Sequence, residues 1–383
     1  MEKKEPFRTE QEKWEYENLS PYAKKSVNAI RWQDENPDFY RTEYQRDVGR
    51  ILYSNSFRRL RMKTQVFKAK GSDPHNRTRL THSLEVSQIA RSIARPLKLN
   101  LDLTEAIALG HDLGHTPYGH AGEQALQECL SGKMTFNHNV QSVWILRSTL
   151  CKRTNKKGDP YPGYNLTHDV VEGVLKHTKC NNIQNEISQI EYYHPDKPGS
   201  LEGQVVDKAD GIAYIKHDID DGIRNGLITL NDFKEIWLES TDLPFDHNWI
   251  DNIILDIIKH SQNKDKIEFG PHINDLYKSI KNFIFERIIS SPMIHSIDQE
   301  GIEKINTIYE FCNHNPEFIL NKNRKINQYK FDVLGVDRMI IDYIQWLGDE
   351  NADNTYNRII NNLNTSSVVE DLNDFYEEEE LPY

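Results

Sequence analysis

The sequence predicts an all-α fold, on three observations. Apolar residues recur at three- and four-residue intervals through most of the chain, Gly, Pro and Asn punctuate those runs, and neither strand alternation nor an internal repeat is found. With 383 residues, 37% of them hydrophobic, the chain can bury a sizeable core as one large domain or two modest ones.

Taken in order, residues 1–40 are rich in charge, Asn and Pro, with Trp14, Tyr16, Tyr22 and Trp32 as scattered anchors, and read as an N-terminal arm with short helices. Helical spacing begins at Arg41 and runs through Tyr53 into Ser56 to Leu60, its arginines mostly a solvated face. Lys63-Thr64-Gln65-Val66-Phe67 leads to a polar loop, Gly71 to Asn76, before Arg79 and His82 open an amphipathic helix closed at Pro96. Leu101 to Gly110 is helical again, and Gly114 and Pro117 break the pattern beyond it. Phe136-Asn137-His138-Asn139 begins the next helix. Thr167, a good N-cap residue, starts another through Val170, Val174 and Leu175 to His177. Polar loops occupy 152–162 and about 181–200. In the helix Leu201 to Ile223, Asp210, Tyr214 and Asp218 recur every four residues on one face, among Val205, Ala209, Ile212 and Ala213. Part of that stripe is therefore buried and needs partners. Residues 41–225 read as the core, and 226–383 as a helical C-terminal region packed on it, ending in an acidic tail, Glu377 to Glu380.

Asp and Glu outnumber Lys and Arg 59 to 47, and the net charge of −12 argues against broad nonspecific nucleic-acid binding. A phosphate ligand would need a local basic pocket. Cys129, Cys151, Cys180 and Cys312 lie far apart without CxxC spacing, which suits a reduced compartment and carries no zinc signature. No window reaches the apolar length of a membrane span, so a cytoplasmic protein with no membrane partner is expected.

The stretch that organises the rest is His111-Asp112-Leu113-Gly114-His115-Thr116-Pro117-Tyr118-Gly119-His120. Adjacent His111 and Asp112 cannot share a strip of helix, but at a helix end they can flank one ion, the imidazole giving nitrogen and the carboxylate oxygen. Any one of these histidines could serve as a surface or core residue. The whole cluster has little packing value. The pair is expected on a helix end, with His115 and His120 on the loop beyond it.

The order His82, His111-Asp112, Asp210 supplies four N/O ligands in an H…HD…D pattern, and at this point the sequence resembles the HD-domain metal phosphohydrolases. Gln45-Arg46-Asp47, Arg58-Arg59-Leu60, Lys63 to Phe67, Thr78 to Val86, His111 to Glu123, Phe136 to Asn139 and Asp210-Gly211-Ile212-Ala213-Tyr214 look like the bacterial deoxyguanosine triphosphate triphosphohydrolase (dGTPase) family. The vertebrate SAM-and-HD-domain dNTP triphosphohydrolase is a more distant relative. The match is dense over residues 38–225. A weaker echo runs from Arg338 to Asp349, where Gln345-Trp346-Leu347-Gly348 departs from the expected small-residue run.

The resemblance implies an HD-domain helical bundle with additional C-terminal helices. It also implies attack at the α-phosphorus of a deoxynucleoside triphosphate, dGTP foremost, releasing deoxynucleoside and intact triphosphate. A triphosphate repels an attacking oxygen, so a metal is needed to bind a phosphoryl oxygen and to lower the pKa of its water from about 15.7 toward neutrality. His82, His111, Asp112 and Asp210 would hold it, a mixed set that suits Mn²⁺, Mg²⁺, Fe²⁺ or Co²⁺. His120 with Glu123 would form an imidazole–carboxylate pair that protonates the departing 5′-oxygen. His115 and His138 would line the phosphates, and Arg79 would reach them through its fork. Gln65 would lie near sugar and base, while Tyr214 and Asp218 would crowd and bind the 3′-OH, so that a ribose 2′-OH meets the Tyr214 ring.

Two other readings stay open. One is an HD phosphohydrolase of nucleoside monophosphates or cyclic nucleotides. The other is a regulatory nucleotide- or single-strand-binding protein, expected to lack a ligand of the set, and none is missing. A homo-oligomer, a second, allosteric nucleotide and single-stranded nucleic acid are the partners to look for.

Overall fold

A computed structural model describes residues 6–65, 77–148, 153–178, 199–243, 245–246, 248–320 and 335–361. Within them the fold is all-α, with one short hairpin, Arg153–Thr154 against Pro160–Tyr161, inside the stretch expected to be loop. Val66, Phe67, the Gly71–Asn76 loop, Cys151, Cys180, most of the 181–200 loop and the acidic tail lie outside the described residues.

Capping chemistry sets the helix boundaries. Thr42 and Gln45 form a reciprocal capping box at the start of Glu43–Leu52, and Thr78 and Thr81 form another at the start of Arg79–Ala94. Ser54 accepts from the Phe57 N–H at 3.0 Å and so starts a separate helix, Asn55–Arg59. That cap breaks the run expected to continue from Arg41 to Leu60. Thr167 stands at the N-cap of His168–Lys176 without capping it. Its hydroxyl and its backbone N–H donate to Asp47 Oδ2 at 2.7 and 2.9 Å, because the buried carboxylate needs those donors. The N-terminal stretch holds a twelve-residue helix, Phe7–Asn18, and is docked by Arg31, which pairs with Glu43 and, at 2.6 Å, with Asp47.

Helices Glu43–Leu52, Arg79–Ala94, Leu101–Gly110, His168–Lys176 and Leu201–Arg224 share one apolar centre. Ile51, Val86, Ile93, Leu103, Ile107, Val170, Val174, Val205 and Ala209 are buried there. Each of the larger side chains contributes about 1.5–3 kcal/mol on burial. A second cluster joins Ala121, Ala125 and Leu126 of Gly119–Cys129 to Ile302, Ile305 and Tyr309 of Pro292–His314 and to Ile340 and Ile344 of Val336–Trp346. The His111–His120 stretch runs from one cluster to the other, so the two cores together fix both of its ends. The turn between them is tight: a Cβ on Gly114 would lie 2.2 Å from the His138 carbonyl oxygen and 2.3 Å from the Ser142 nitrogen. Only glycine lets the chain pass there.

Candidate active site

Three helices and a turn bring the four predicted ligands together. His82 lies in the first turn of Arg79–Ala94, His111 caps the C-terminus of Leu101–Gly110, Asp112 follows in the turn, and Asp210 comes from the middle of Leu201–Arg224. His82 Nε2 lies 2.9 Å from Asp210 Oδ1 and 3.9 Å from Asp112 Oδ2. His111 Nε2 lies 3.5 Å from Asp112 Oδ1 and 3.7 Å from Asp210 Oδ1. All four side chains are buried. His111 Nδ1 donates to the Ala108 carbonyl at 2.7 Å, which leaves Nε2 with its lone pair, and that buried nitrogen has no hydrogen-bond partner among the described residues. An orphaned buried imidazole nitrogen facing two carboxylates fits a metal ion. Burial opposes ionisation of Asp112, but His111, His115 and Arg79 around it hold its carboxyl well below the usual range. Burial also opposes ionisation of Asp210, and His82 and His111 outweigh it.

His82 is oriented from behind. Its Nδ1 lies 3.3 Å from His217 Nδ1, and His217 Nε2 is hydrogen-bonded to Glu85. With Nε2 of His82 turned toward Asp210, the chain runs from His82 Nδ1–H to His217 Nδ1 and from His217 Nε2–H to the Glu85 carboxylate.

Beside the ligands stands a second group. His115 and His138 stack at 3.9 Å between centroids, 17° from parallel, and His115 Nε2 lies 3.1 Å from Asp112 Oδ1. Burial first, then Arg79 and His138, press the His115 pKa well below its ordinary value, so this ring is neutral. His120 is not on a loop as expected: it is the second residue of Gly119–Cys129, because Tyr118 in left-handed backbone (φ 60°) turns the chain straight into that helix. Its side chain is 70% exposed and its Nδ1 lies 3.6 Å from Glu123 Oε2. Glu123 makes its shorter contact, 2.9 Å, with His138 Nδ1, so the carboxylate expected to orient His120 orients His138 more closely. Burial raises the Glu123 pKa, but hydrogen bonds from His120 and His138 outweigh it and keep the group ionised.

Toward the substrate side, Arg79 is fully buried and donates from Nη1 to Asp112 Oδ2 at 2.7 Å, so not all of its fork is open to phosphate. Its Nε and Nη2 have no partner among the described residues, nor do the two amide atoms of buried Gln65. Nη2 would lie 3.1 Å from a Cβ on Gly119, which places the open edge of Arg79 under the start of the His120 helix. Tyr214 is half-buried, its ring edge-on to His82 at 5.0 Å and nearly parallel to His120 at 6.5 Å. Asp218, one turn on, is buried, with Oδ1 unpartnered among the described residues; burial and then Asp221 push its pKa up to about 7.

Several residues at the site were not singled out in the sequence. His177, at the end of His168–Lys176, packs its ring 5.0 Å from His111 and 5.4 Å from His138; burial and those two rings push its pKa down to about 3. Lys63 donates from Nζ to the carbonyls of His115 and Gln345 at 2.6 and 2.5 Å. Asp349 accepts from the N–H groups of Thr64 and Tyr118 at 3.0 and 3.1 Å. The departure at Gln345-Trp346 has a local reason: Gln345 Nε2 donates to the Leu113 carbonyl at 2.7 Å, and the Trp346 ring carries the Arg59 guanidinium 3.5 Å from its centroid.

Residues 79–215 match the HD domain and residues 267–358 the phosphohydrolase-associated domain. A protein of Caldanaerobacter subterraneus subsp. tengcongensis, named a deoxyguanosinetriphosphate triphosphohydrolase-like protein, is 37% identical over 351 residues, 89% of this chain and 92% of its own length. The chain belongs to this HD-domain phosphohydrolase family. A relative of the same name from Rickettsia bellii is 36% identical over 392 residues, covering 91% of this chain and all of its own, 100%. One from Ralstonia pickettii is 48% identical over 219 residues, 57% of this chain and 55% of its own. The family is one of metal-dependent hydrolases, and the buried group His82, His111, Asp112 suits a metal ion. No helix among the described residues is long and apolar enough to cross a membrane.

Proposed function

We propose that this chain hydrolyses deoxynucleoside triphosphates, dGTP foremost, to deoxynucleoside and intact triphosphate. The observation that carries the reading is the convergence of the buried His82 imidazole and two buried carboxylates, Asp112 and Asp210, around the lone pair of His111 Nε2, which nothing among the described residues satisfies. His82, His111, Asp112 and Asp210 would hold a divalent ion, which supplies a polarised phosphoryl group and an acidified water when bound. Its relatives carry triphosphohydrolase-like names, which favours triphosphate over the smaller phosphate esters.

The chain's own side chains divide the remaining work. The open Nε–Nη2 edge of Arg79 offers a bidentate fork to phosphate oxygens, and neutral His115 stacked on His138 walls the same space. Exposed His120 is free to swing toward the departing 5′-oxygen and give it a proton, with Glu123 ionised nearby to support the charged ring. The orphaned Gln65 amide faces the base and sugar, and Tyr214 with Asp218 takes the deoxyribose. Chromatography of the products from all four dNTPs and all four NTPs tests the reading. Deoxynucleoside plus intact triphosphate is the expected outcome. Release of phosphate or pyrophosphate would move the protein to another HD phosphohydrolase class, and no turnover with any metal would leave a binding protein.

A further inference from the structure

The turn 113–118, which carries His115, is braced by residues far from it in the chain. The Leu113 carbonyl accepts from Gln345 Nε2 at 2.7 Å, the His115 carbonyl accepts from Lys63 Nζ at 2.6 Å, and the Tyr118 N–H donates to Asp349 Oδ1 at 3.1 Å. Lys63 Nζ also donates to the Gln345 carbonyl at 2.5 Å, and Asp349 Oδ2 accepts from the Thr64 N–H at 3.0 Å. Residues 63–64 and 345–349 therefore hold each other and the turn together. A Cβ on Gly348 would lie 2.5 Å from Met62 Cβ and 2.8 Å from the Met62 carbonyl oxygen, so glycine is what lets the two segments lie this close. Residues 345–349 belong to the phosphohydrolase-associated domain, and the turn to the HD domain.

Lys63 is at the centre of this brace. Its side chain is 2% exposed, and burial, then Arg59 and Arg79, push its pKa down to about 7. A methionine would fill the same space without the cost of burying an amine. What an apolar side chain cannot do is donate to two carbonyls at once. The Lys63 carbonyl in turn accepts the Arg79 N–H at 2.9 Å, at the start of Arg79–Ala94. One residue thus joins the two groups proposed to meet phosphate, Arg79 through its main chain and His115 through Nζ. The ligands His82 and His111 are oriented by other partners, His217 and the Ala108 carbonyl.

We propose that Lys63 is a positioning residue for the phosphate side of the site, and that residues 345–349 act through it. Together they hold His115 in register with Arg79 and leave the ion's donors alone. The kinetic consequence rests on the proposed triphosphohydrolase reading, whereas the hold on the turn does not.

The test compares Lys63→Met with the parent, both loaded with Mn²⁺. Methionine keeps the reach of the side chain and removes its donors. Losing two hydrogen bonds should let peptides covering residues 113–118 exchange backbone hydrogen faster, by about 10-fold or more, as read by mass spectrometry. With dGTP, kcat should fall by about 100-fold, the cost of a misplacement near 1 Å, and KM should change little because Arg79 keeps its bond to the Lys63 carbonyl. Bound Mn²⁺ and the circular dichroism spectrum should match the parent. Asp349→Asn, which leaves one acceptor for two N–H donors, should give the same pattern and decides the matter if Lys63→Met does not fold. Parental exchange in the turn overturns the brace. Faster exchange with parental kcat makes Lys63 a structural residue only, and loss of Mn²⁺ together with turnover moves its action to the metal ligands; either result overturns the positioning role. A parent inert toward every dNTP would overturn the proposed function instead, and the exchange comparison alone would then decide whether Lys63 holds the turn.

Discussion

Arg79 Nη1 and Asp112 Oδ2 are 2.7 Å apart, and both side chains are buried. The arginine expected to serve phosphate is thus tied at one end to a carboxylate expected to serve the metal, which couples the two halves of the site. Lysine at this position would keep the charge and lose the fork, because an ammonium cannot bond Asp112 and grip phosphate along a planar edge at the same time. Arg79→Lys should therefore raise KM for the triphosphate by about 10- to 100-fold, with metal content kept. Steady-state kinetics alongside metal analysis checks this; a variant with parental KM would leave Arg79 as a buttress of Asp112 alone.

Loss of a ligand should act on metal and turnover together. In His111→Ala or Asp112→Ala the ion would be left with an open coordination position and a weakened hold, so bound metal should fall by about 100-fold or more in affinity and activity with it. Full turnover by either protein in its metal-loaded form would end the ligand assignment.

His120 is the exposed member of the histidine group, and Glu123 lies 3.6 Å from its Nδ1. Deleting an acid–base group costs about 10²- to 10⁴-fold in rate. His120→Ala should lose kcat in that range with metal content unchanged. If metal is lost instead, His120 is a ligand and the roles must be exchanged with a neighbour.

How much of this was legible in the sequence depends on distance along the chain. The stripe Asp210-Tyr214-Asp218 could be read because helical periodicity fixes which residues share a face, and the H…HD…D set because its order along the chain resembles that of the HD-domain metal phosphohydrolases. What sits behind them could not. Glu85 and His217 are brought together by the packing of two helices, and His177 reaches His111 only through the placement of His168–Lys176. A second His-Asp dipeptide, His217-Asp218, was the one local hint, and a third at His168-Asp169 shows how weak that hint is. The misplacement of His120 has a backbone cause: a left-handed residue at Tyr118 starts a helix where Gly114 and Pro117 suggested loop.

Buried Glu202 gives the fold a pH dependence unrelated to the site. Its Oε1 accepts from the N–H groups of Lys24 and Asn100 at 3.0 Å each, Oε2 has no partner among the described residues, and burial outweighs those donors to push the pKa up to about 7 from 4.5. The native state then binds the proton more readily than the unfolded chain. The stability it contributes is full below the unfolded value and is lost as pH rises through about 7. At about 1.4 kcal/mol per pH unit that loss is on the order of 3 kcal/mol. Glu202→Gln should flatten this part of the stability curve. Urea midpoints at about pH 5 and about pH 8 measure it, and an undiminished slope in the variant would place its origin in another group.

Tyr214 decides between deoxyribose and ribose if the ring stands where a 2′-OH would go. The ring is half-buried between the proposed ligand His82 and the proposed acid His120, 5.0 Å from the first ring and 6.5 Å from the second, so one of its faces would border the space proposed for the nucleotide. Four-residue spacing ties it to Asp210 on one side and Asp218 on the other, which would put the proposed sugar recognition on the same helix face as the proposed ligand Asp210. A pocket that excludes a hydroxyl by contact discriminates by the cost of overpacking, about 1 to 3 kcal/mol, or roughly 5- to 150-fold in rate. Truncating the ring relieves that cost for GTP and adds nothing for dGTP. Tyr214→Ala should therefore lower the ratio of kcat/KM for dGTP over GTP by up to that factor, measured with the same metal in both proteins. A folded, active variant with the parental ratio would show that the ring supports His82 and leaves the choice of sugar to other residues.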